Sequence, residues 1–216
     1  MTHQFHPTVL REYDIRGIIG ETLGEADAYA IGRGFATLLG QAGGRTVAVG
    51  YDGRLSSPML EEALVRGIND SGLDAVRVGM GPTPMLYYAE ASAEDVQGGI
   101  QITGSHNPAN YNGFKMVFQG RPFFGDDIQE LGRLAAVGAW TNGTGTHQRR
   151  DVMEAYIARM IEGLAGIDHA ALAQLKIGWD AGNGAAGPAL ELLVKQIPGE
   201  HHLLFTEVDG NFPNHH

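Results

Sequence analysis

The sequence predicts an α/β protein: two related α/β domains with mixed, mostly parallel sheets flanked by helices. Three observations carry that prediction. Apolar runs of strand length alternate with stretches of helical period, joined by connections long enough for right-handed parallel crossovers. One plan (strand, Gly, aromatic, Asp, glycine turn, Pro, helix) occurs twice, first from Thr46 to Leu64 and again from Leu175 to Leu193. Gly is abundant, 32 of 216 residues, yet scattered through apolar periodic segments, so it marks tight turns and close approaches and not a low-complexity tract. A repeat this long suits a duplicated domain better than a solenoid. The expected division is a first domain at 1–148 and an incomplete second one at 149–216.

The elements follow in order. Arg11-Glu-Tyr-Asp-Ile-Arg-Gly17 reads, taken alone, as a surface turn. Thr22-Leu-Gly-Glu25 has capping-box spacing, and Ala28, Ile31, Phe35, Leu38 and Leu39 then share a helical face. Thr46–Tyr51 is a buried strand leading to Asp52-Gly53-Arg54. Ser57 is placed as N-cap with Pro58 first in a helix carrying Leu60, Ala63, Leu64 and Ile68. A strand at 75–80, a helix opened by Gly81-Pro-Thr-Pro84, a strand at 99–103 and a second at 114–118 follow. Residues 126–137 form a short amphipathic helix, with Asp126-Asp127 at its start, where acidic groups are favoured. Polar, turn-rich 138–146 reads as a linker or exposed loop. Val152, Met153, Tyr156, Ile157, Met160 and Leu164 line another helix. Asp180-Ala-Gly-Asn-Gly-Ala-Ala-Gly187 matches neither the Walker nor the dinucleotide spacing, so a strand-to-helix turn is preferred over a phosphate cradle. The last strand is expected at 203–208.

Composition narrows the function classes. Net charge is −10, from 25 acidic against 15 basic residues, which disfavours nucleic acid as the main partner. No apolar run approaches the roughly 20 residues that span a bilayer, and the N-terminus lacks a signal pattern, so a cytoplasmic place is expected with no membrane partner. With no Cys there is neither a disulfide framework nor a thiolate metal site.

The remaining stretch is Gly98–Lys115, in which a strand runs into Thr103-Gly-Ser-His-Asn-Pro-Ala-Asn-Tyr-Asn-Gly-Phe-Lys115. Gly104 is expected to take backbone angles closed to other residues, and Pro108 to keep Asn107 extended. A serine hydroxyl thus lies beside an imidazole at the carboxyl end of a strand, where ligands of open α/β sheets bind. By spacing alone this is either an ordinary turn or a catalytic pair. The TGSHNPANYNGFK loop resembles the active-site loop of the α-D-phosphohexomutases, in particular the bacterial phosphomannomutase/phosphoglucomutase enzymes. The YDIRG segment at 13–17, the DxGNG turn and the DGNFPNHH end are similar as well, so the terminal histidines read as native sequence.

The resemblance implies phosphate transfer between C1 and C6 of a mannose or glucose phosphate. Ser105 would carry the phosphoryl group, with glucose 1,6-bisphosphate as activator and Mg²⁺ held through the phosphate on Ser105. His106 would position the phosphate, relay a proton, or simply bond the loop. Lys115 would serve as general acid/base or as counter-charge. Tyr13, Arg16 and Asn107 would contact the substrate, Arg16 with its planar fork on phosphate. The family's acidic DGDxDR loop is not in this sequence, so the remaining Mg²⁺ ligands are expected elsewhere and the chain is expected to be inactive alone. The alternatives are a phosphate-accepting or phosphosugar-binding fragment without turnover, and part of a phosphoglucosamine mutase, which YDIRG disfavours. A nucleotide-binding Rossmann domain lacks its fingerprint. Family members often carry Arg where Tyr51 stands. An incomplete second domain is expected to leave an apolar face uncovered and to promote self-association.

Overall fold

The computed structural model describes residues 2–215. The strands are β1 (Ile15–Ile18), β2 (Thr46–Tyr51), β3 (Asp74–Met80), β4 (Gly98–Ile102), β5 (Tyr111–Phe118), β6 (Arg121–Pro122), β7 (His147–Arg149), β8 (Lys176–Asp180) and β9 (Glu200–Leu204). The helices are α1 (Glu25–Gln41), α2 (Ser57–Asp70), α3 (Thr83–Ala91), α4 (Asp126–Val137), α5 (Met153–Glu162), α6 (His169–Leu172) and α7 (Gly187–Leu193).

The main sheet runs β1-β5-β4-β2-β3-β7, with β6 beside β5. β4, β2, β3 and β7 are mutually parallel; β5 is antiparallel to both β4 and β1. Central strands of a sheet covered on both faces read as unbroken apolar runs. Val47, Ala48 and Val49 of β2 and Ile100 and Ile102 of β4 are accordingly fully buried. One face carries α1, α2 and α4 over Ile31, Phe35, Leu39, Leu60, Leu64 and Leu131. Each such side chain contributes about 1.5–3 kcal/mol when fully buried. The other face carries α3, α5 and part of α7 through Leu86, Tyr156, Ile157 and Ala189. β8 and β9 form a separate parallel pair in which no residue is fully buried, and Leu204 and Phe205 at its end are exposed.

The mixed, mostly parallel α/β architecture is as expected; several local details differ. Thr22 is not the cap of α1: its hydroxyl accepts the Ile18 N–H at 2.8 Å, while Gly24 caps and the Asp27 carboxylate accepts the Gly24 N–H. Ser56 caps α2 in place of Ser57, whose buried hydroxyl is drawn to Asp52 at 2.7 Å. Residues 138–146 form the exposed loop of the two expected readings and not a linker, and they are tied down as a strap. Arg33 donates to the Thr141 carbonyl and the Asn142 side chain, and Gly143 and Gly145 donate to the end of α2. The strand at 203–208 instead spans 200–204, because Phe205 turns to φ 52° and its carbonyl accepts the Asn183 N–H. The expected division at 148 falls inside β7, and α5 packs against α3 of the main layer.

Candidate functional site

β2 and β4 end side by side, and both hand over to tight loops. After β4 the chain passes Thr103 and Gly104 to Ser105, which holds φ 55°. A left-handed backbone at a non-Gly residue is uncommon and persists only where surrounding contacts over-determine it. Here Thr103 Oγ1 accepts the Ser105 N–H at 2.9 Å, and the Gly104 carbonyl accepts both the backbone and side-chain N–H of Asn107. Gly104 therefore has a different reason from the expected one. Its own φ is ordinary, but a methyl there would lie 2.3 Å from Cζ of Arg54.

Arg54 is 1% exposed and runs under this loop. Nη2 donates to the carbonyls of Ser105 (2.9 Å) and Asn107 (2.7 Å), and Nη1 to those of Pro108 (2.6 Å) and Tyr111 (3.0 Å). Nε donates to Asp52, whose other oxygen takes the Arg54 N–H and the Ser57 hydroxyl. The Gly104 N–H also reaches Asp52, at 3.2 Å. Burial pulls the Arg54 guanidinium below its ordinary pKa against the raising effect of Asp52, and the positive charge of Arg16 adds to the lowering. The Asp52–Arg54 pair was not singled out as functional from the sequence. Its signal is an Asp-Gly-Arg set directly after a buried strand.

Of the expected site residues, Ser105, His106 and Asn107 share the loop. The Ser105 hydroxyl is exposed, 3.4 Å from Nδ1 of His106, at the long limit for a hydrogen bond. Lys115 stands opposite Gln101 on β5, and its Nζ is 3.5 Å from Asp14. Arg16, on β1, donates to the same Asp14 oxygen and is buried, and its Nε has no hydrogen-bond partner among the described residues. Tyr13 is 76% exposed, stacked near Phe124, and lines a cleft of about 360 Å³ with Lys115 and Tyr87. Among the described residues, no hydrogen bond joins Tyr13, Arg16 or Lys115 to Ser105; Asp14 is what links the two cations. Tyr51 ends β2 half-buried against the core and lines a groove with Arg77 and Arg149.

The second unit, the stretch after α5 that carries β8, β9 and α7, completes the surroundings. Ser105 lines one cleft of about 190 Å³ with Thr83, Gly184, Ala186 and Phe212, and another of about 290 Å³ with Arg54, Asp180 and His215. The 180–187 segment is a strand-to-helix turn: Asp180 accepts the Gly182 N–H at 2.8 Å, and Asn183 sits at φ 58°. His215 Nε2 is 3.0 Å from both Asp180 oxygens, while His216 lies outside the described residues. The Gly182 N–H, and then His215, hold the Asp180 carboxyl below its usual range. No helix among the described residues is long and apolar enough to cross a membrane.

Comparison with known proteins extends this picture. Residues 7–139 match the family model for phosphoglucomutase/phosphomannomutase, alpha/beta/alpha domain I. A phosphomannomutase/phosphoglucomutase of Pseudomonas putida is 41% identical over 97% of this chain, and a phosphoglucomutase of Neisseria gonorrhoeae 42% identical over 96%. The chain spans 44% of the length of each of these curated relatives. A Burkholderia thailandensis phosphoglucomutase/phosphomannomutase family protein superposes with a TM-score of 0.90 at 42% identity, covering 99% of this chain and 47% of that one. The match to domain I takes in the serine loop, the Asp52–Arg54 pair and β1 alike, and this chain belongs to the phosphoglucomutase/phosphomannomutase family.

Proposed function

We propose that this chain is the amino-terminal part of a phosphohexomutase and that Ser105 is its phosphoryl acceptor. The observation that carries the reading is the exposed Ser105 hydroxyl, set at φ 55° at the carboxyl end of β4 beside His106. In the reaction, phospho-Ser105 gives its phosphoryl group to the free hydroxyl of a hexose monophosphate: the bond from phosphorus to the hexose oxygen forms as the bond to Ser105 Oγ breaks, and the proton of that hydroxyl passes to Ser105 Oγ. The bisphosphate reorients and returns its other phosphoryl group to Ser105 Oγ, which loses its proton while the released hexose oxygen gains one. The net change moves phosphate between C1 and C6 and leaves Ser105 phosphorylated. Mannose and glucose phosphates are the proposed substrates, with glucose 1,6-bisphosphate as activator.

Phosphoryl transfer is chiefly positioning and charge stabilisation. His106 is close enough to Ser105 to orient the phosphate or relay the proton once the contact tightens on binding. Lys115 is offered as acid/base or counter-charge, and Arg16 as a phosphate holder whose unpartnered Nε is a free donor. Tyr13 and Asn107 complete the proposed substrate contacts. The division at 148 is part of the same proposal; the separate β8–β9 sheet supports a second unit, while β7 and α5, which stay with the main layer, do not favour 148 as its boundary.

A divalent magnesium ion in this family would neutralise charge on the transferring phosphoryl group. Among the described residues no three acidic or histidine side chains come together to hold a metal ion. The residues present therefore do not fit a Mg²⁺ site beyond the one ligand a phosphate on Ser105 would offer. That donor set favours a second reading for these 216 residues taken alone: phosphate acceptance on Ser105 without sustained turnover.

The test is to incubate the chain with glucose 1,6-bisphosphate and Mg²⁺ and map phosphate by peptide mass spectrometry. One phosphoryl group on Ser105, lost in Ser105→Ala, is expected; phosphate on another residue overturns the assignment. Sustained interconversion of glucose 1-phosphate and glucose 6-phosphate would refute the no-turnover reading.

A further inference from the structure

We infer that Arg54 is a positioning residue for the Ser105 loop and that the 208–212 loop of the second unit acts on Ser105 through it. The inference rests on Ser105 as phosphoryl acceptor for its consequence, but its geometry is independent of that chemistry. A guanidinium has five N–H donors in a fixed fork. In Arg54 all five are used: one on Asp52 and four on the carbonyls of Ser105, Asn107, Pro108 and Tyr111. Three carbonyls of one short loop and that of Tyr111, where β5 begins, thus converge on a single buried side chain. The fork fixes the carbonyl of Ser105 itself, and so the unusual backbone angle that presents its hydroxyl. Gly104 leaves the space this requires, since a methyl would overlap the guanidinium.

The other side of this arrangement comes from the second unit. The Phe212 ring lies 5.0 Å from Cζ of Arg54, a cation–π contact that also keeps water away from the guanidinium. The backbone around it fits without slack. A methyl on Gly53 would lie 2.3 Å from Val208, and one on Gly210 2.7 Å from the Gly53 carbonyl. A shift of 208–212 therefore reaches the serine loop through one side chain. Lysine cannot replace arginine here, because an ammonium has three donors and no planar fork.

The experiment uses the 216-residue chain, Arg54→Lys and Phe212→Leu. Two quantities are read: amide hydrogen exchange across 103–112, and the rate of Ser105 phosphorylation against glucose 1,6-bisphosphate concentration with Mg²⁺. Arg54→Lys is expected to raise exchange in 103–112 roughly tenfold, leaving the α1–α2 layer unchanged. It is expected to cut the saturated phosphorylation rate roughly 100-fold, the cost of misplacing a reacting group by about 1 Å, with half-saturation little changed. Phe212→Leu, which keeps Arg54, is expected to shift both quantities in the same direction by less. Unchanged exchange in 103–112 and an unchanged saturated rate in a folded Arg54→Lys would overturn the inference. If Arg54→Lys unfolds, Phe212→Leu decides: no rise in exchange at 103–112 refutes it. If the parent chain takes no phosphate on Ser105, the acceptor reading fails by itself, and exchange alone then supports or overturns the role of Arg54.

Discussion

Replacing Asp52 by Asn isolates the charge in the pair beneath the serine loop. The carboxylate accepts four hydrogen bonds: from the Arg54 backbone N–H and Nε at 3.1 Å each, the Ser57 hydroxyl at 2.7 Å and the Gly104 N–H at 3.2 Å. An amide has one oxygen and one NH₂. In its better orientation the oxygen keeps Nε and the Gly104 N–H, and the Ser57 hydroxyl rotates to accept. The Arg54 backbone N–H then meets a donor, and a guanidinium that is 1% exposed loses its counter-charge. Breaking a buried pair from one side costs about 3–5 kcal/mol. The four carbonyl bonds that remain on Arg54, and the 15% exposure of the Asp52 side chain, place the expectation at the low end, about 3 kcal/mol. With a urea slope of about 2.5 kcal/mol/M, the unfolding midpoint falls by about 1.2 M. The assay is urea unfolding followed by fluorescence in a Trp179→Phe background, where Trp140 on the 138–146 strap reports the first unit. A midpoint within about 0.2 M of the parent at the same slope, under 0.5 kcal/mol, would refute the argument that Asp52 sustains a buried cation.

Two further perturbations probe the frame and the second unit. A methyl on Gly67 of α2 would lie 2.3 Å from the Tyr29 carbonyl of α1, so the helices must part in Gly67→Ala. The gain of about 1 kcal/mol in helix propensity is outweighed by overpacking, for a net loss of about 2 kcal/mol; a thermal melt should show Tm lower by roughly 4–8 °C, and an equal or higher Tm would show that the contact gives way. Asp180, held below the usual carboxylate range by the Gly182 N–H and then by His215, should make the β8–β9 unit acid-sensitive. A depressed carboxylate contributes stability that is present above its unfolded pKa and lost as pH falls through the folded one. Trp179 fluorescence should therefore change below about pH 4, and Asp180→Asn should flatten that change; identical acid profiles would count against it.

The parts of this molecule that were legible in the sequence are those governed by a period or by near neighbours. The runs in β2 and β4, the apolar face of α1 and the helix at 126–137 declare themselves because burial on a sheet or a stripe leaves a pattern. Ser105, His106 and Asn107 are adjacent in the chain, so their shared loop was legible too. What escaped was decided by long-range contacts. The sequence places Ser57 as the cap of α2, yet its hydroxyl donates to Asp52, and Ser56 holds the cap position without a side-chain capping bond. Gly104 was expected to need a left-handed backbone, yet it is Ser105 that adopts one, while Gly104 makes room for a guanidinium from another loop. The 138–146 segment looked free because its anchors, Arg33 and the end of α2, lie far away in the chain. The serine loop combines both kinds of information. Its proposed phosphoryl acceptor is local, but its carbonyls are held by Arg54 after β2, which Asp52 and Phe212 contact in turn. A turn-like motif in the sequence is thus tied in three dimensions to two distant segments that close on it.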